Sequence, residues 1–488
     1  MRKILRYIPL LYYTRLAMPV KPDADSQLRG SIEARKLARW VADRVRHAAR
    51  RATWHASRIR MQFGDATGRG PRLPPGSLSG SCPFRARGDD RFYLEQFRRY
   101  GSIFKLFWGS GDLKICVVGL SLGRRLLNQH RGAVRPVTVD ITTLVPAGYL
   151  RSMSPAIHPK YRRLFVAACR EELIAVRETE LRDMMVCEIA RLADASGPDF
   201  ARARRLYATL DAIALRALLM TVFGVRPNDE LVARLEDAYH RLGPDGHVAV
   251  VGTGQKEAFH TIREIVAEIL QAMRHNDDVR FGDSILKRLV ASNADSIDDT
   301  VIGNAIYMVE RGHHDVRDLL RWIVKYLGDH PLLVTELGAE GTDSACMTKL
   351  AEACVLETLR MDQAELLNRR AVEAFTFEGF RIPRGSWVAI LLRESHRDWR
   401  AFPEPDSFRP HRFLERSYSG DEYAPFGIDE HQCVAASLVV RTATIFVEEL
   451  TKGFSWSVCG DGPRRHGHFH WEPSLSFAID IRRGGRGS

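Results

Sequence analysis

The chain has 488 residues, enough to bury a large core in one big domain or in two to three ordinary ones. Hydrophobic residues make up 45% and charged residues 27% of it, which are globular values that exclude wholesale disorder, collagen and a polytopic membrane protein. The eight cysteines include no C-x-x-C pair. Neither a disulfide scaffold nor a zinc ribbon is therefore indicated, and a reducing compartment is the default.

The positive charge is concentrated at the N-terminus. The first 60 residues hold 15 Lys and Arg against 4 Asp and Glu, a surplus of 11 in a total net charge of +12. The rest of the chain is therefore nearly neutral. We expect no nucleic-acid partner for it, and only the basic arm could carry such a contact.

This N-terminal arm is too polar to span a membrane. The apolar run Ile8–Tyr13 is far too short to cross a bilayer, and no A-x-A cleavage site follows it. Residues 31–61 lack Pro and Gly and place apolar residues at helical spacing, which is typical of a basic amphipathic helix on an anionic membrane or on a partner. A solvated extension is the alternative. We expect a cytoplasmic protein, with peripheral membrane attachment through the arm as an option.

A Gly/Pro/Ser-rich linker at residues 64–83 separates the arm, residues 1–63, from a main domain, residues 84–488. In that domain the helical patterns are long and cover residues 159–193, 201–223, 255–275, 300–327 and 348–360. The strand patterns are short and cover residues 115–118, 375–377, 387–391 and 475–479. The predicted fold class is mostly α with a minor β region.

An E-x-x-R pair lies in the helical pattern 348–360. Glu357 and Arg360 are three residues apart, so they share a helix face and can form a bidentate ion pair. A simple surface pair would have the same spacing. A Pro-rich loop at residues 402–413 cannot be regular helix or central strand. Its Arg412 could close a triad with Glu357 and Arg360.

Cys433 precedes the last long helical pattern, residues 434–451. It ends the segment Phe426-Gly-Ile-Asp-Glu-His-Gln-Cys433. A helix N-terminus favours thiolate over thiol, and the thiolate is the form that binds a metal. Cys433 is therefore the candidate metal ligand, and an inert buried cysteine is the alternative.

The order E-x-x-R, P-x-R-F and F-G-x-x-x-H-x-C resembles the cytochrome P-450 family of haem-thiolate proteins, over roughly residue 74 to the C-terminus. The resemblance implies a triangular helical prism around a buried haem b, with residues 84–488 as the catalytic domain. Cys433 would be the axial iron ligand, which favours O–O cleavage. Glu357, Arg360 and Arg412 would form the buried network that fixes the proximal loop, and Phe426 would shield the sulfur.

The resemblance also implies which residues contact the haem propionates. Those positions hold His158, Arg162, Arg369 (with Arg370 as its substitute) and His431. Asp429 stands where the family usually has Gly. Asp tolerates a positive φ better than most residues, so the turn can survive. If ionised near the thiolate, it should lower the iron reduction potential.

The distal helix departs from the family's pattern, which is a small residue, Gly, any residue, an acid and then Thr. This chain reads Arg311-Gly312-His313-His314-Asp315. His314 takes the position of the acid and Asp315 that of Thr, the pair that relays protons in the family. Both can carry protons, although the missing alcohol argues against ordinary O2 activation. The catalytic candidates are therefore Arg311, Gly312, His314 and Asp315.

Arg311 suggests a rival chemistry. In haem-thiolate peroxygenases an Arg on this helix binds a fatty-acid carboxylate that serves as acid–base for hydrogen peroxide, but Pro follows it there and Gly312 follows it here. A register shifted by one residue would instead turn Arg311 and the histidines toward neighbouring helices. A metal site at His313, His314 and Asp315 is disfavoured, because adjacent helix residues point in different directions.

Two further segments should border the pocket. His466, His468 and His470 alternate as on one strand face and could bind a metal, with substrate contact or solvent exposure as the favoured interpretation. The segment 137–156 should cap the pocket. Its apolar residues would contact substrate or pack in the core, and they are Leu144, Val145, Tyr149 and Leu150.

These features together predict a haem-thiolate monooxygenase that inserts one oxygen atom from O2 into a small apolar organic substrate. Its cofactor would be haem b, iron protoporphyrin IX. A separate ferredoxin or flavoprotein reductase would donate electrons, because the chain has no room for a flavin or iron–sulfur domain. The unusual distal helix keeps two alternatives open: a peroxide-driven peroxygenase or hydroperoxide rearrangement enzyme, and a non-catalytic haem-binding protein.

Overall fold

The computed structural model describes residues 70–76, 86, 88–107, 113–137, 141–195, 197–243, 251–274, 281–292, 297–339, 344–363, 366–467 and 470–484. The chain divides into two units, Met1–Thr67 and Gly68–Ser488. All described residues belong to the second unit. The predicted basic arm with its amphipathic helix, and most of the predicted linker, lie outside the described residues.

Helices form most of the described chain. The first seven are α1 Phe92–Tyr100, α2 Leu120–Gln129, α3 His158–Ala168, α4 Glu172–Asp194, α5 Asp199–Phe223, α6 Glu230–Leu242 and α7 Thr253–Arg274. The next seven are α8 Ile285–Ser292, α9 Asp299–Gly328, α10 Pro331–Leu337, α11 Ser344–Thr358, α12 Leu392–Ser395, α13 Arg412–Glu415 and α14 Ala436–Gly453. A π-helical turn, Leu359–Gln363, continues α11.

A five-stranded sheet lies beside the helices, in the order β1-β2-β7-β4-β3. Only the β2–β7 pair is parallel, and the other pairs are antiparallel. The strands are β1 Ile103–Phe107, β2 Leu113–Val117, β3 Val134–Pro136, β4 Leu366–Ala371 and β7 Trp387–Leu391. All residues of the edge strand β1 and of its neighbour β2 are buried, and most of them are branched or aromatic.

Three two-stranded pairs complete the β structure of the described residues. They join β5 Phe375–Phe377 to β6 Phe380–Ile382, β8 Phe454–Gly460 to β11 Ala478–Arg483, and β9 Arg465–His466 to β10 Trp471–Glu472. The indole Nε1 of Trp322 on α9 donates to Trp471 O at 2.8 Å. This contact holds the β9–β10 pair against the central helix.

The central element is α9, a helix of 30 residues. Asp298 caps its N-terminus by accepting a hydrogen bond from Val301 N at 2.8 Å. Most of its side chains are buried, including charged ones such as Glu310, Arg317 and Asp318. A helix buried on nearly all sides must pair its charges internally, and this requirement shapes the site described below.

Most predicted elements are present, with two differences. The predicted helix 159–193 is two helices, α3 and α4, separated at Cys169–Glu171. The predicted strand 475–479 begins later, at Ala478, because Leu475 lies exposed in the preceding turn. The strand patterns did not include β1, β3, β4, β6, β8, β9 and β10. Strand β4 carries Asn368, Arg369 and Arg370, which break the apolar alternation of a strand.

Candidate active site

A cavity lies where α9, α5, residues 149–151 and the loop 425–435 meet. It encloses about 1640 Å³ that no atom occupies, part of it open to solvent. Much of the lining is apolar and includes Leu150, Leu218, Val222, Met308, Leu319 and Leu438. Of the predicted pocket cap, Tyr149 and Leu150 line the cavity, whereas Val145 is buried in the core.

Cys433 lies in the turn just before α14. Its N–H donates to Phe426 O at 3.0 Å, and Gly427 has a φ of 105° that other residues rarely adopt. Both Cys433 and Phe426 line the cavity, and the exposed surface of Cys433 faces it. Burial raises the pKa of the Cys433 thiol, while the N–H of Ala435 acts in the opposite direction. The helix start alone therefore does not hold the thiolate; a bound metal displaces the proton.

Two histidines meet beside the cysteine. The rings of His158, the first residue of α3, and His431 lie 4.4 Å apart, and both line the cavity. Burial lowers the pKa of both imidazoles, that of His431 to about 4. His158 Nε2 and His431 Nδ1 are buried without a hydrogen-bond partner among the described residues. Arg162, one turn after His158, also lines the cavity and donates to Gln432 O at 2.8 Å.

Arg369 occupies a different place from the other predicted propionate contacts. Its guanidinium forms an ion pair with Asp429, and it is absent from the residues that line the cavity. Burial acts against ionisation of the Asp429 carboxyl, but Arg369 and the backbone N–H of His431, which donates to Asp429 Oδ1, outweigh it and lower the pKa of this carboxyl. Asp429 does not have the positive φ expected from its position, since Glu378 and Glu404 are the non-Gly residues with positive φ in the described chain. Its charge is balanced by Arg369.

The predicted triad of Glu357, Arg360 and Arg412 is present and buried. Arg360 Nε and Nη2 donate to the two carboxylate oxygens of Glu357 at 2.7 and 2.8 Å. Arg412 Nε lies 3.1 Å from Glu357 Oε1, and none of the three side chains is more than 3% exposed. The arginines also donate to the carbonyl oxygens of His396, Pro403, Pro405 and Ser407. The triad therefore ties α11 to the Pro-rich loop.

The distal helix presents one face to the cavity. Arg311, Gly312 and Asp315 line it, as their i, i+1 and i+4 spacing allows. His314 is not among the lining residues. Its Nδ1 lies 2.8 Å from Arg317 Nη1, on the side of α9 that packs against α5. The prediction that His314 contacts the reacting site is therefore wrong in this structure, because one residue along a helix turns the side chain by about 100°.

A buried polar cluster surrounds Arg317. Arg317 Nη1 lies 3.2 Å from Asp211 Oδ1, and its Nη2 lies 2.9 Å from Asp318 Oδ2. His313 Nε2 lies 3.0 Å from Asp211 Oδ1, though without hydrogen-bond geometry. The ligand atoms of Asp211, His313 and His314 are close enough to hold a metal. Arg317 already supplies the positive charge between them, so a second cation would be repelled.

His470 also lines the cavity, whereas the sequence pattern predicted only that it shares a strand face with two other histidines. His466 belongs to β9 and His470 precedes β10, so these two do not share one strand; His468 lies outside the described residues. His470 lies 3.7 Å from Asp315 and 3.4 Å from Asp318. The only sequence signal was the local concentration of histidine, which carries no information about α9.

The residues around the cavity fit haem b. A cysteine sulfur faces a large apolar space, which suits a thiolate ligand and a flat apolar ring. The unpartnered nitrogens of His158 and His431, with Arg162 beside them, provide the donors that two propionates need. The fold and the site together define a haem-thiolate protein.

Comparison with known proteins identifies the family. The family model for cytochrome P-450 matches residues 247–469. Abscisic acid 8'-hydroxylase 2 of Arabidopsis thaliana is 30% identical over 182 residues, 34% of this chain and 37% of the relative. Abscisic acid 8'-hydroxylase 2 of Oryza sativa subsp. indica is 24% identical over 441 residues, 80% of this chain and 82% of the relative. The matched segments thus cover between about a third and four fifths of the length of these curated relatives.

Solved structures agree on the fold. A retinoic acid-bound cyanobacterial CYP120A1 has a TM-score of 0.65 at 18% identity and covers 85% of this chain and 100% of its own. A zebra fish cytochrome P-450 with progesterone has a TM-score of 0.63 at 20% identity and covers 80% of this chain and 99% of its own. The family model, the hydroxylase relatives and the solved structures all support a cytochrome P-450 family member. The predicted family, fold and haem b cofactor are confirmed.

One helix in the described part of the chain is long and apolar enough to cross a membrane. It covers Ala201–Phe223 of α5, and 67% of its most apolar stretch is buried inside the protein. It also packs against α9. A helix in the core of a protein can have the same length and apolar composition as a membrane-spanning helix.

Proposed function

We propose that this protein is a haem-thiolate monooxygenase that inserts one oxygen atom from O2 into an apolar organic substrate. The observation that carries the proposal is Cys433, which opens α14 and faces a large apolar cavity beside His158 and His431. The overall reaction consumes one O2, two electrons and two protons, and yields the hydroxylated substrate and one water. The hydroxylase relatives favour this function over the peroxide-driven and non-catalytic alternatives.

Each part of the site has a role in this proposal. Cys433 would ligate the iron, and Arg162, His158 and His431 would hold the propionates. When bound, the haem supplies the activation of O2 that side chains cannot carry out. The apolar lining would position the substrate and limit its contact with water. The buried triad around Glu357 would keep the cysteine loop in place through the loop it anchors.

We further propose that the substrate is an apolar organic acid. Arg311 and Arg151 line an otherwise largely apolar cavity, and an arginine can bind a carboxylate through two hydrogen bonds. The named relatives hydroxylate abscisic acid, and one solved structure of the same fold holds retinoic acid. Both names denote organic acids, which supports this assignment.

The proposed electron donor is a separate ferredoxin or flavoprotein reductase. We also propose that the basic arm, residues 1–63, attaches the protein to an anionic membrane surface. Arg50→Gln with Arg51→Gln should weaken co-sedimentation of the full chain with phosphatidylserine vesicles. Unchanged co-sedimentation at low salt would contradict the attachment.

The decisive experiment is the spectrum of the reduced, CO-bound protein. A thiolate ligand gives a red-shifted Soret band, and Cys433→Ala should abolish it, with Cys459→Ala as the matched control because Cys459 lies on β8 away from the cavity. Loss of the band in the control alone, or its retention in Cys433→Ala, would overturn the proposal. O2-dependent product from abscisic acid or retinoic acid, supported by a ferredoxin system and absent with peroxide alone, would establish the oxidant.

A further inference from the structure

The cavity wall holds a second polar pair that the family pattern of the distal helix does not contain. Asp315 faces the cavity from α9, and its side chain is 52% exposed. His470 lines the same cavity from the β9–β10 connection and is only 6% exposed. Their nearest atoms, His470 Nδ1 and Asp315 Oδ1, are 3.7 Å apart. One bridging water or a small rotation about the Asp315 side chain would complete a hydrogen bond.

The second ring nitrogen of His470, Nε2, faces the carboxylate of Asp318, which stays ionised. His470 Nε2 lies 3.4 Å from Asp318 Oδ2. Arg317 donates to both Asp318 oxygens at 3.0 and 2.9 Å, and Arg321 Nη1 lies 3.2 Å from the first of them. Burial acts against ionisation of Asp318, but Arg317 and then His470 outweigh it and hold its pKa well below the usual range. Asp318 therefore orients the imidazole and keeps its charge.

His470 is protonated as a result. Burial alone would lower its pKa, but Asp318, Asp315 and Glu472 together raise the pKa of His470 to about 9. The charged groups that face it are Asp315, Asp318 and Arg321 of α9 and Glu472 of β10. Near neutral pH both ring nitrogens carry protons, and the Nε2 proton belongs to the contact with Asp318. Nδ1 is the ring nitrogen that lies nearest to Asp315, at 3.7 Å from its Oδ1.

We propose that His470 and Asp315 form a proton-transfer pair, in which His470 gives the Nδ1 proton to Asp315 and Asp315 passes it into the cavity. The proposal rests on the oxygenase function, which consumes two protons in each turnover. It explains how a distal helix without the acid–Thr pair can still deliver protons. His314, which occupies the usual acid position, is engaged by Arg317 on the other side of α9.

The transfer changes two bonds and no oxidation state. The His470 Nδ1–H bond breaks and an O–H bond forms on Asp315, so the imidazolium becomes neutral imidazole and the carboxylate becomes a carboxylic acid. Asp315 then releases this proton to the oxygen atom that leaves as water. The two electrons come from the ferredoxin or flavoprotein of the proposed function, and solvent protons recharge His470.

The first test does not depend on turnover. Carbon-13 NMR of labelled histidines is recorded on the diamagnetic, reduced and CO-bound holoprotein, and His470→Gln assigns the His470 signal. We expect His470 to titrate above about pH 8, and its pKa to fall by about one pH unit in Asp315→Asn, since a contact between two charges is lost. A pKa of His470 below 7, or a pKa that does not change in Asp315→Asn, would overturn the proposed His470–Asp315 pair.

The second test measures the product formed per electron pair consumed, with abscisic acid and retinoic acid as probe substrates. His470→Gln and Asp315→Asn should each lower this ratio about tenfold or more, while the reduced CO-bound spectrum stays that of the wild type. The double variant should be no worse than either single variant, because the two groups act in series. His260→Gln, which breaks an exposed contact to Glu264 on α7, is the matched control and should match the wild type.

The two hypotheses fail in different ways. A wild-type protein without O2-dependent product that still shows the NMR coupling would overturn the proposed function, and with it the proton-delivery role, but would leave the electrostatic contact between His470 and Asp315 standing. Full product yield in His470→Gln, or multiplicative losses in the double variant, would overturn the pair and leave the oxygenase function standing.

Discussion

The two sides of the cavity are built on different principles. On the cysteine side, Glu357, Arg360 and Cys433 lie in short sequence motifs, and the contacts between Arg360 and Glu357 and between Cys433 and Phe426 lie within those motifs. On the α9 side, the charges of Asp315 and Asp318 are met by His470, which is more than 150 residues away in the chain. The cysteine side is therefore recognisable from local patterns. The α9 side acquires its chemistry only when the C-terminal β9–β10 pair packs on the helix.

The largest effect is expected on the cysteine side, from Glu357→Gln. This change leaves Arg360 and Arg412 buried with an unmatched charge, so we expect unfolding to become easier by about 3–5 kcal/mol and haem incorporation to fall sharply. Urea unfolding and the yield of the reduced CO-bound band measure the two effects. The matched control is Glu268→Gln, whose exposed pair with Arg234 contributes less than about 1 kcal/mol. Equal effects of the two variants would contradict the buried triad.

The next effect is a pH dependence of the α9 side. The pKa of folded His470 is about 9, above its ordinary value, so this residue stabilises the fold fully below about pH 6.5 and the contribution disappears as pH rises through 9. The loss should be roughly 3 kcal/mol at most. Unfolding measured between pH 6.5 and 9.5 should show this slope in the wild type and in His260→Gln, and a flatter profile in His470→Gln. Identical profiles in all three would show that His470 is not held protonated.

The proposed acid specificity predicts a loss of affinity in Arg311→Gln. A charged hydrogen bond to a carboxylate contributes about 1.5–3 kcal/mol, so the Kd for retinoic acid should rise about tenfold to a hundredfold. The Kd for its methyl ester should change little, because the ester carries no charge. Substrate-induced spin-state titration measures both. A wild type that binds acid and ester equally would contradict recognition of the carboxylate.

The smallest effect is expected for Asp429, whose charge is balanced by Arg369 on the cysteine side. Asp429→Asn should cost about 1–2 kcal/mol of unfolding free energy, since a largely buried charged hydrogen bond is weakened. Glu430→Gln, next in the chain and paired with the 72% exposed Arg131, should cost less than about 1 kcal/mol. If the Asn variant is as stable as the wild type, the Arg369–Asp429 pair does not anchor the cysteine loop.

Local patterns account for the elements that were predicted and for those that were missed. The long helices follow from apolar residues at helical spacing, and α9 was predicted almost to its ends. Strand β1 has no alternation because all five residues are buried, including Lys105, whose Nζ donates to Pro74 O at 2.6 Å. Strand β4 carries two arginines. Such strands are recognised only when their partners in the sheet are known.

The sequence by itself determined the family motifs, the cysteine that opens α14, the Glu357 triad and the concentration of positive charge in the N-terminal arm. Most of those features depend on residues close together in the chain, where spacing dictates geometry. Arg412 lies 55 residues after Glu357, and it was recognised by the motif in which it lies. Tertiary structure alone decided that Arg369 pairs with Asp429, that His314 turns away from the cavity, and that His470 faces Asp315. The first and third of these contacts join distant segments of the chain, and the second depends on which face of α9 packs against α5. In each case the tertiary packing sets the surroundings of a buried polar side chain.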